Sequence, residues 1–322
     1  MSADKYHFCV SFPPYVLGKK NVSSLIYNTL IALVPAIIAA LYYFRMDALK
    51  VMVIAVITAV ICEMGMQRFL KKEITINDGH AILTGVLLAF MLPPTVPWWI
   101  VVIGSASAII IGKQIFGGMG NNPFNATLVG WVMIRISWPD ELTNWIEPFG
   151  TEIPDPPLYV FKFDGIEFFL DYDFQLFDLF VGRQAGGIGT ICVMALLAGG
   201  IYLLLRRMIS WHIPAGLLGT VFIFCGILWL VDKETNLNPF FQLVTGSTVF
   251  GAFFLATDPV TSPVTRWGKL VYGIIIGILI MIIRTWGKYP DGVAFAILLA
   301  NTSSPLLNRI RPKPYGKEST FG

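Results

Sequence analysis

Phe250-Gly-Ala-Phe-Phe-Leu-Ala-Thr-Asp-Pro-Val-Thr-Ser-Pro-Val-Thr265 runs an apolar segment straight into one acid, two prolines and four hydroxyl side chains, with no polar linker between them. Hydrocarbon cannot satisfy backbone groups that proline leaves free. A break of this kind at membrane depth therefore persists only where protein or a water-filled cavity supplies the missing partners. Asp258, an ionisable group at the edge of an apolar segment, is a functional-site candidate by default. The alternative is a helix that ends at the interface and leaves Asp258 in water.

The same pattern occurs earlier in the chain. Leu83-Thr84-Gly85, then Leu88-Ala89-Phe90, then Pro93-Pro94-Thr95-Val96-Pro97 resembles Val244-Thr245-Gly246, Ala252-Phe253-Phe254 and Pro259-Val260-Thr261-Ser262-Pro263. Apolar stretches able to span a bilayer, or nearly so, fall at about 24–44, 48–67, 80–93, 96–112, 126–138, 187–205, 213–231, 241–256, 270–284 and 292–307. The echo links the third stretch to the eighth. A Gly- and Pro-rich lead-in, Gly117 to Pro123 and Trp286 to Gly292, likewise links the fifth to the tenth. An odd offset of five turns the second copy upside down. The expected fold is thus an all-α polytopic membrane protein of ten transmembrane helices in an inverted 5+5 repeat, with sites at the broken helices. Its expected parts are an N-terminal segment 1–23, a first five-helix repeat 24–138, a loop 139–186, a second repeat 187–307 and a C-terminal tail 308–322.

Composition supports a membrane chain. Of 322 residues, 55% are hydrophobic and 13% charged, and mean hydropathy is +0.69. A soluble globular balance is excluded. The net charge of +3 is dispersed, with no basic run interleaved with aromatics, so nucleic acid is excluded as a partner. With the N-terminus inside, 15 Lys and Arg fall on the cytoplasmic side and seven outside, and Arg135 lies within a helix. That bias places both termini in the cytoplasm. The 139–186 loop is acidic and belongs outside.

Gly112-Lys-Gln-Ile-Phe-Gly-Gly-Met-Gly-Asn-Asn-Pro-Phe-Asn125 is the second informative stretch. Glycines let backbone approach a ligand, and asparagine amides donate and accept without charge. A flat heterocycle with a hydrogen-bonding edge, such as a flavin, suits Asn121, Asn122 and Asn125 beside Phe116 and Phe124. The competing reading is a turn with Asn125 as a helix cap.

These two stretches, together with Arg284-Thr-Trp-Gly-Lys-Tyr-Pro-Asp-Gly-Val-Ala-Phe-Ala296 and Asp78-Gly79 ahead of Thr84-Gly85, resemble the D subunit of Rnf complexes and the related B subunit of the sodium-pumping NADH:quinone reductase. The resemblance extends from about residue 10 to 310. It implies a ten-helix inverted repeat similar to urea and ammonium channels, in the bacterial or archaeal cytoplasmic (inner) membrane. It implies a translocase that passes electrons between ferredoxin and NAD and moves Na+ or H+. The implied partners are the membrane A and E subunits, the cytoplasmic B and C subunits and the outer flavoprotein G. The implied cofactors are FMN and riboflavin, and non-covalent flavin is expected at Phe116, Asn121, Asn122, Phe124, Asn125, Thr257 and Asp258.

One family feature is missing. Members usually esterify FMN to a threonine in a Ser-Gly-Ala-Thr type motif of the outer loop. Here the loop threonines are Thr143 and Thr151, in unrelated contexts. The stretch that is Gly-Ser-x-Gly-Glu in the family reads Gly186-Gly187-Ile188-Gly189-Thr190, so Thr190 is the fallback acceptor and covalent FMN is disfavoured. A phosphate-free flavin such as riboflavin suits the 112–125 loop better than a dianionic phosphate suits the acidic one.

No metal site is expected, because Cys9, Cys62, Cys192 and Cys225 stand apart and His7, His80 and His212 stand singly. Glu63 and Arg135 are expected to snorkel to the interface, with membership of an ion or proton relay as the alternative. No catalytic residue is assigned, and no nucleotide loop is present, so NADH and ferredoxin are expected to meet partner subunits and the chain alone to be inactive. The alternative function is a channel or secondary transporter without a redox role.

Overall fold

The computed structural model describes residues 22–146, 148–150, 155–171 and 174–309. His7, Cys9 and Thr151 lie outside the described residues, as does most of the expected 1–23 and 308–322 segments. The described residues are helical, with no strand among them.

Helix α1, Val22–Phe69, is 48 residues long and covers the first two apolar stretches. Arg45 divides it, with φ 48° and ψ −123°, at the polar gap between those stretches. Next come α2 (His80–Phe90), α3 (Trp98–Ile109, prolonged by a wide π turn Ile110–Gln114) and α4 (Ala126–Ser137). The second half contains α5 (Val193–Leu205), α6 (His212–Val231), α7 (Pro239–Val244), α8 (Thr248–Phe250, prolonged by a π turn Gly251–Leu255), α9 (Arg266–Trp286) and α10 (Val293–Asn301). Among the described residues three helices, α1, α6 and α9, are long and apolar enough to cross a bilayer; α2, α3, α4 and α5 are shorter apolar helices.

Short apolar helices cannot span alone and pack inside the bundle instead. Leu88, Ala89 and Phe90 of α2 are fully buried, as are Phe250 and Leu255. The Phe90 and Phe250 rings meet at 5.9 Å between centroids. Packing between helices in lipid depends on close contact, which small residues allow. Gly85 shows why: a Cβ there would lie 2.8 Å from Val56 Cα, so α2 can approach α1 only because position 85 has no side chain. Elsewhere α9 lies along α6, and α1 also meets α3 and α5.

The expected sixth span begins later than its apolar pattern suggests. Residues 187–192 are not helical, and α5 starts at Val193. Their backbone is used elsewhere: Ile188 N–H donates to Leu92 O at 3.0 Å and Gly189 N–H to Phe90 O at 3.1 Å. A Cβ at Gly189 would fall inside the Phe90 ring. The glycines of this stretch thus serve a close backbone crossing.

Candidate functional site

Helix α4 is 12 residues long, about 18 Å at 1.5 Å per residue, and a cleft lies at each of its ends. At its start, Asn125 caps the helix, its side-chain oxygen accepting from Leu128 N–H at 3.4 Å. The Asn125 amide also donates to Leu255 O at 3.2 Å. Leu255 ends the π turn, where its carbonyl keeps only a long turn bond from Asp258 N–H at 3.4 Å. The Asn301 side-chain amide lies 2.5 Å from the Tyr272 hydroxyl, and with that amide turned so that its nitrogen faces Tyr272, its oxygen accepts from the Asn125 backbone N–H at 3.0 Å. Three segments remote in sequence therefore meet at one asparagine.

The cleft beside Asn125, about 50 Å³, is walled by Leu83, Leu87, Phe253 and Phe254, and carries Thr257, Asp258, His80 and Thr84 as polar groups. Thr257 donates its hydroxyl to Phe253 O at 2.6 Å, which leaves its lone pairs free. Asp258 Oδ2 accepts from the Thr261 hydroxyl at 3.1 Å and Oδ1 from Val260 N–H at 3.4 Å. The carboxylate is held by its own turn, the usual arrangement for an Asp that leads into a proline-broken segment.

Of the expected flavin residues, the fold brings Asn125, Thr257 and Asp258 to this cleft. It does not bring Phe116, Asn121, Asn122 or Phe124 there. Phe116 is 44% exposed and Asn121 is exposed. Asn122 is buried and donates to Phe124 O at 2.9 Å, with its side-chain oxygen unpaired.

At the far end of α4 lies a cleft of about 120 Å³ with Trp131, Arg135, Thr190, Tyr289 and Asp291 in its wall. The Arg135 guanidinium stands 5.8 Å from the Tyr289 ring centroid and donates to Pro139 O just beyond the helix end. Tyr289 stacks on Phe295. Thr190 is buried, and its hydroxyl donates to Gly187 O at 3.2 Å. Beneath this cleft, Arg284 donates to Gln242 O, Gln242 Oε1, Thr248 Oγ1 and Asp291 Oδ1 at 2.7 to 3.1 Å, which fixes the break between α7 and α8. From the loop, Lys162 donates to the carbonyls of Ile283, Arg284 and Tyr289. Burial first, and then the Arg284 charge, lower its ammonium pKa below the usual lysine value.

One polar cluster escaped sequence reasoning. Glu63 does not snorkel: its side chain is 0% exposed and meets that of Lys113, 1% exposed, at 2.6 Å. Lys113 belongs to the inner-side charges by position, yet the fold neutralises it against an acid 50 positions away. Its ammonium also lies 3.3 Å from His80 Nδ1. Gln67 adds an amide donor to Glu63 Oε1 at 3.0 Å. The available signal was that an acid and a base, each in apolar surroundings, lacked a neighbour of opposite charge.

Residues 9–316 match the model of the NQR2, RnfD, RnfE family. The chain belongs to this family. Among curated relatives, the D subunit of the ion-translocating oxidoreductase complex of Cronobacter sakazakii is 36% identical over 346 aligned residues, covering 96% of this chain and 99% of that protein. The proteins of the same name from Salmonella paratyphi A and Escherichia coli O157:H7 are also 36% identical, covering 96% of this chain and 98% of theirs. The relatives' shared name describes them as subunits of an ion-translocating oxidoreductase complex, and the apolar helices of this chain are those of a membrane protein.

Proposed function

We propose that this chain is the D-type subunit of a redox-driven Na+ or H+ pump and holds a flavin, without a covalent link, in the cleft beside Asn125. The observation that carries this reading is the Asn125 to Leu255 hydrogen bond, because it brings the Gly/Asn stretch and the Thr257-Asp258-Pro259 break to one cavity. The cavity suits a flavin edge. Thr257 and Asp258 offer acceptors to a ring N–H, and Phe253, Phe254 and Met119 offer apolar walls. The Asp258 carboxylate disfavours a phosphate, so riboflavin fits better than FMN. When bound, the flavin supplies one-electron chemistry; the chain's residues orient it and keep water from it.

Further elements belong to the same reading. Ten spans in two inverted halves belong to it, and the number of helical runs supports the count of ten when α1 is taken as two across Arg45, α7 with α8 as one, and α10 with Ser304–Leu307 as one. Ferredoxin and NAD meet partner subunits of the complex, and both termini face the cytoplasm of the producing cell.

Acid precipitation of the purified chain tests the flavin: its fluorescence should pass wholly to the supernatant. Flavin retained on the pellet in the wild type but lost in Thr190→Val would assign a covalent bond to Thr190 and overturn the non-covalent reading. A preparation with no flavin in either fraction would overturn the cofactor altogether.

A further inference from the structure

We propose that Glu63, Lys113 and His80 form a buried proton-holding site, loaded from the Asn125 cleft through His80. Glu63 comes from α1, Lys113 from the π turn after α3 and His80 from the first turn of α2. Three elements are thus brought together around one ion pair in an apolar bundle.

A purely structural buried pair is expected to have every polar atom satisfied, because an apolar replacement would otherwise serve as well. This one is incomplete. Glu63 Oε1 receives Lys113 and Gln67, while Glu63 Oε2 is buried and has no partner. The other charged or titratable groups facing it are His80 and Asp78. Asp78 Oδ1 accepts the His80 backbone N–H at 2.7 Å, and its Oδ2 is also buried without a partner. Gln67 is in turn fixed by Thr75, at 2.9 Å and 3.0 Å, so it cannot turn to meet Oε2.

The ligand is a proton and not a metal cation. The Lys113 ammonium lies 2.6 Å from Glu63 and repels any cation that would need that carboxylate. No group of three or more His, Cys, Asp or Glu able to hold a metal occurs among the described residues. A proton needs only one lone pair of a carboxylate whose second oxygen is left without a partner.

The route follows the contacts. His80 lines the Asn125 cleft and its Nδ1 stands 3.3 Å from Lys113 Nζ. In its Nδ1-protonated tautomer, His80 takes a proton at Nε2 from cleft water and passes its Nδ1 proton to Lys113 Nζ as Lys113 passes one to Glu63 Oε1, the oxygen it touches. The triad ends with Glu63 neutral, Lys113 charged and His80 neutral, one positive charge more than at the start. No other reactant is consumed. A charge change in the cleft would therefore be felt at Glu63 through a chain of two short contacts.

Infrared difference spectroscopy on the full-length purified chain, with pH stepped in H2O and in D2O, tests the site without any bound cofactor. The wild type should show a protonated-carboxyl band that is absent in Glu63→Gln. Because that variant leaves Lys113 unpaired, Glu63→Gln/Lys113→Gln serves as a second, charge-balanced control and should lack the band as well. His80→Phe should keep the band's amplitude but slow its H/D exchange by about tenfold or more. A band unchanged in both Glu63 variants, or an exchange rate unchanged in His80→Phe, would overturn the proposal.

Discussion

The side-chain amide of Asn125 donates to the backbone carbonyl of Leu255 across 3.2 Å, joining two segments 130 positions apart. The same side chain caps α4. Asn125→Ala removes both bonds, and a helix cap and a buried hydrogen bond are each worth about 1 kcal/mol. The expected outcome is a loss of about 2 kcal/mol in detergent-titrated unfolding, with flavin lost from the purified protein at lower temperature. Retention of both stability and flavin would show that the two segments are held together without Asn125.

Arg284 offers a second test. Its fork reaches Gln242, Thr248 and Asp291, and Asp291 in turn accepts from Ser247 N–H and Oγ. A lysine keeps the charge but cannot fill a planar fork. Arg284→Lys should therefore cost about 3 kcal/mol, two charge-assisted bonds at about 1.5 kcal/mol each. Detergent-titrated unfolding, with cysteine accessibility at Cys225 as a local reporter, checks it.

Lys162 holds the loop to the end of α9. Two of its three acceptors, the carbonyls of Ile283 and Arg284, lie in the last turn of that helix, where a cation is favoured, and the third, Tyr289 O, lies just beyond it. It is partly exposed, so Lys162→Met should cost only about 1 kcal/mol overall. Limited proteolysis should nonetheless cut the 139–186 loop faster, while the melting temperature falls by only a few degrees.

Gly189 crosses the face of Phe90 with no room for a Cβ. Gly189→Ala should destabilise the protein by about 1–3 kcal/mol through overpacking. The double variant Gly189→Ala/Phe90→Ala should lose less than the two single losses added together, because a shared steric contact makes the effects non-additive. Strict additivity would mean that the two residues do not share that contact.

Much of the architecture was legible in the chain itself. The apolar stretches anticipated the helical runs, and the kink at Arg45 falls in the polar gap formed by Arg45 and Asp47. The start of α5 was not legible, because glycine and isoleucine read the same whether they continue a helix or cross a phenylalanine ring. In the Gly/Asn stretch, spacing made three asparagines look equivalent. Only Asn125 reaches the cleft, since the positive-φ glycines 117, 118 and 120 turn the chain before it.

Family, helical class and membrane character follow from sequence alone, because hydrophobic run length and local motif chemistry act over short stretches of chain. The pairing of Glu63 with Lys113, and of Asn125 with Leu255, was decided by tertiary structure. Those contacts join positions 50 and 130 residues apart. No local propensity encodes such a pairing; the packing of small-residue helix faces brings the partners within bonding distance.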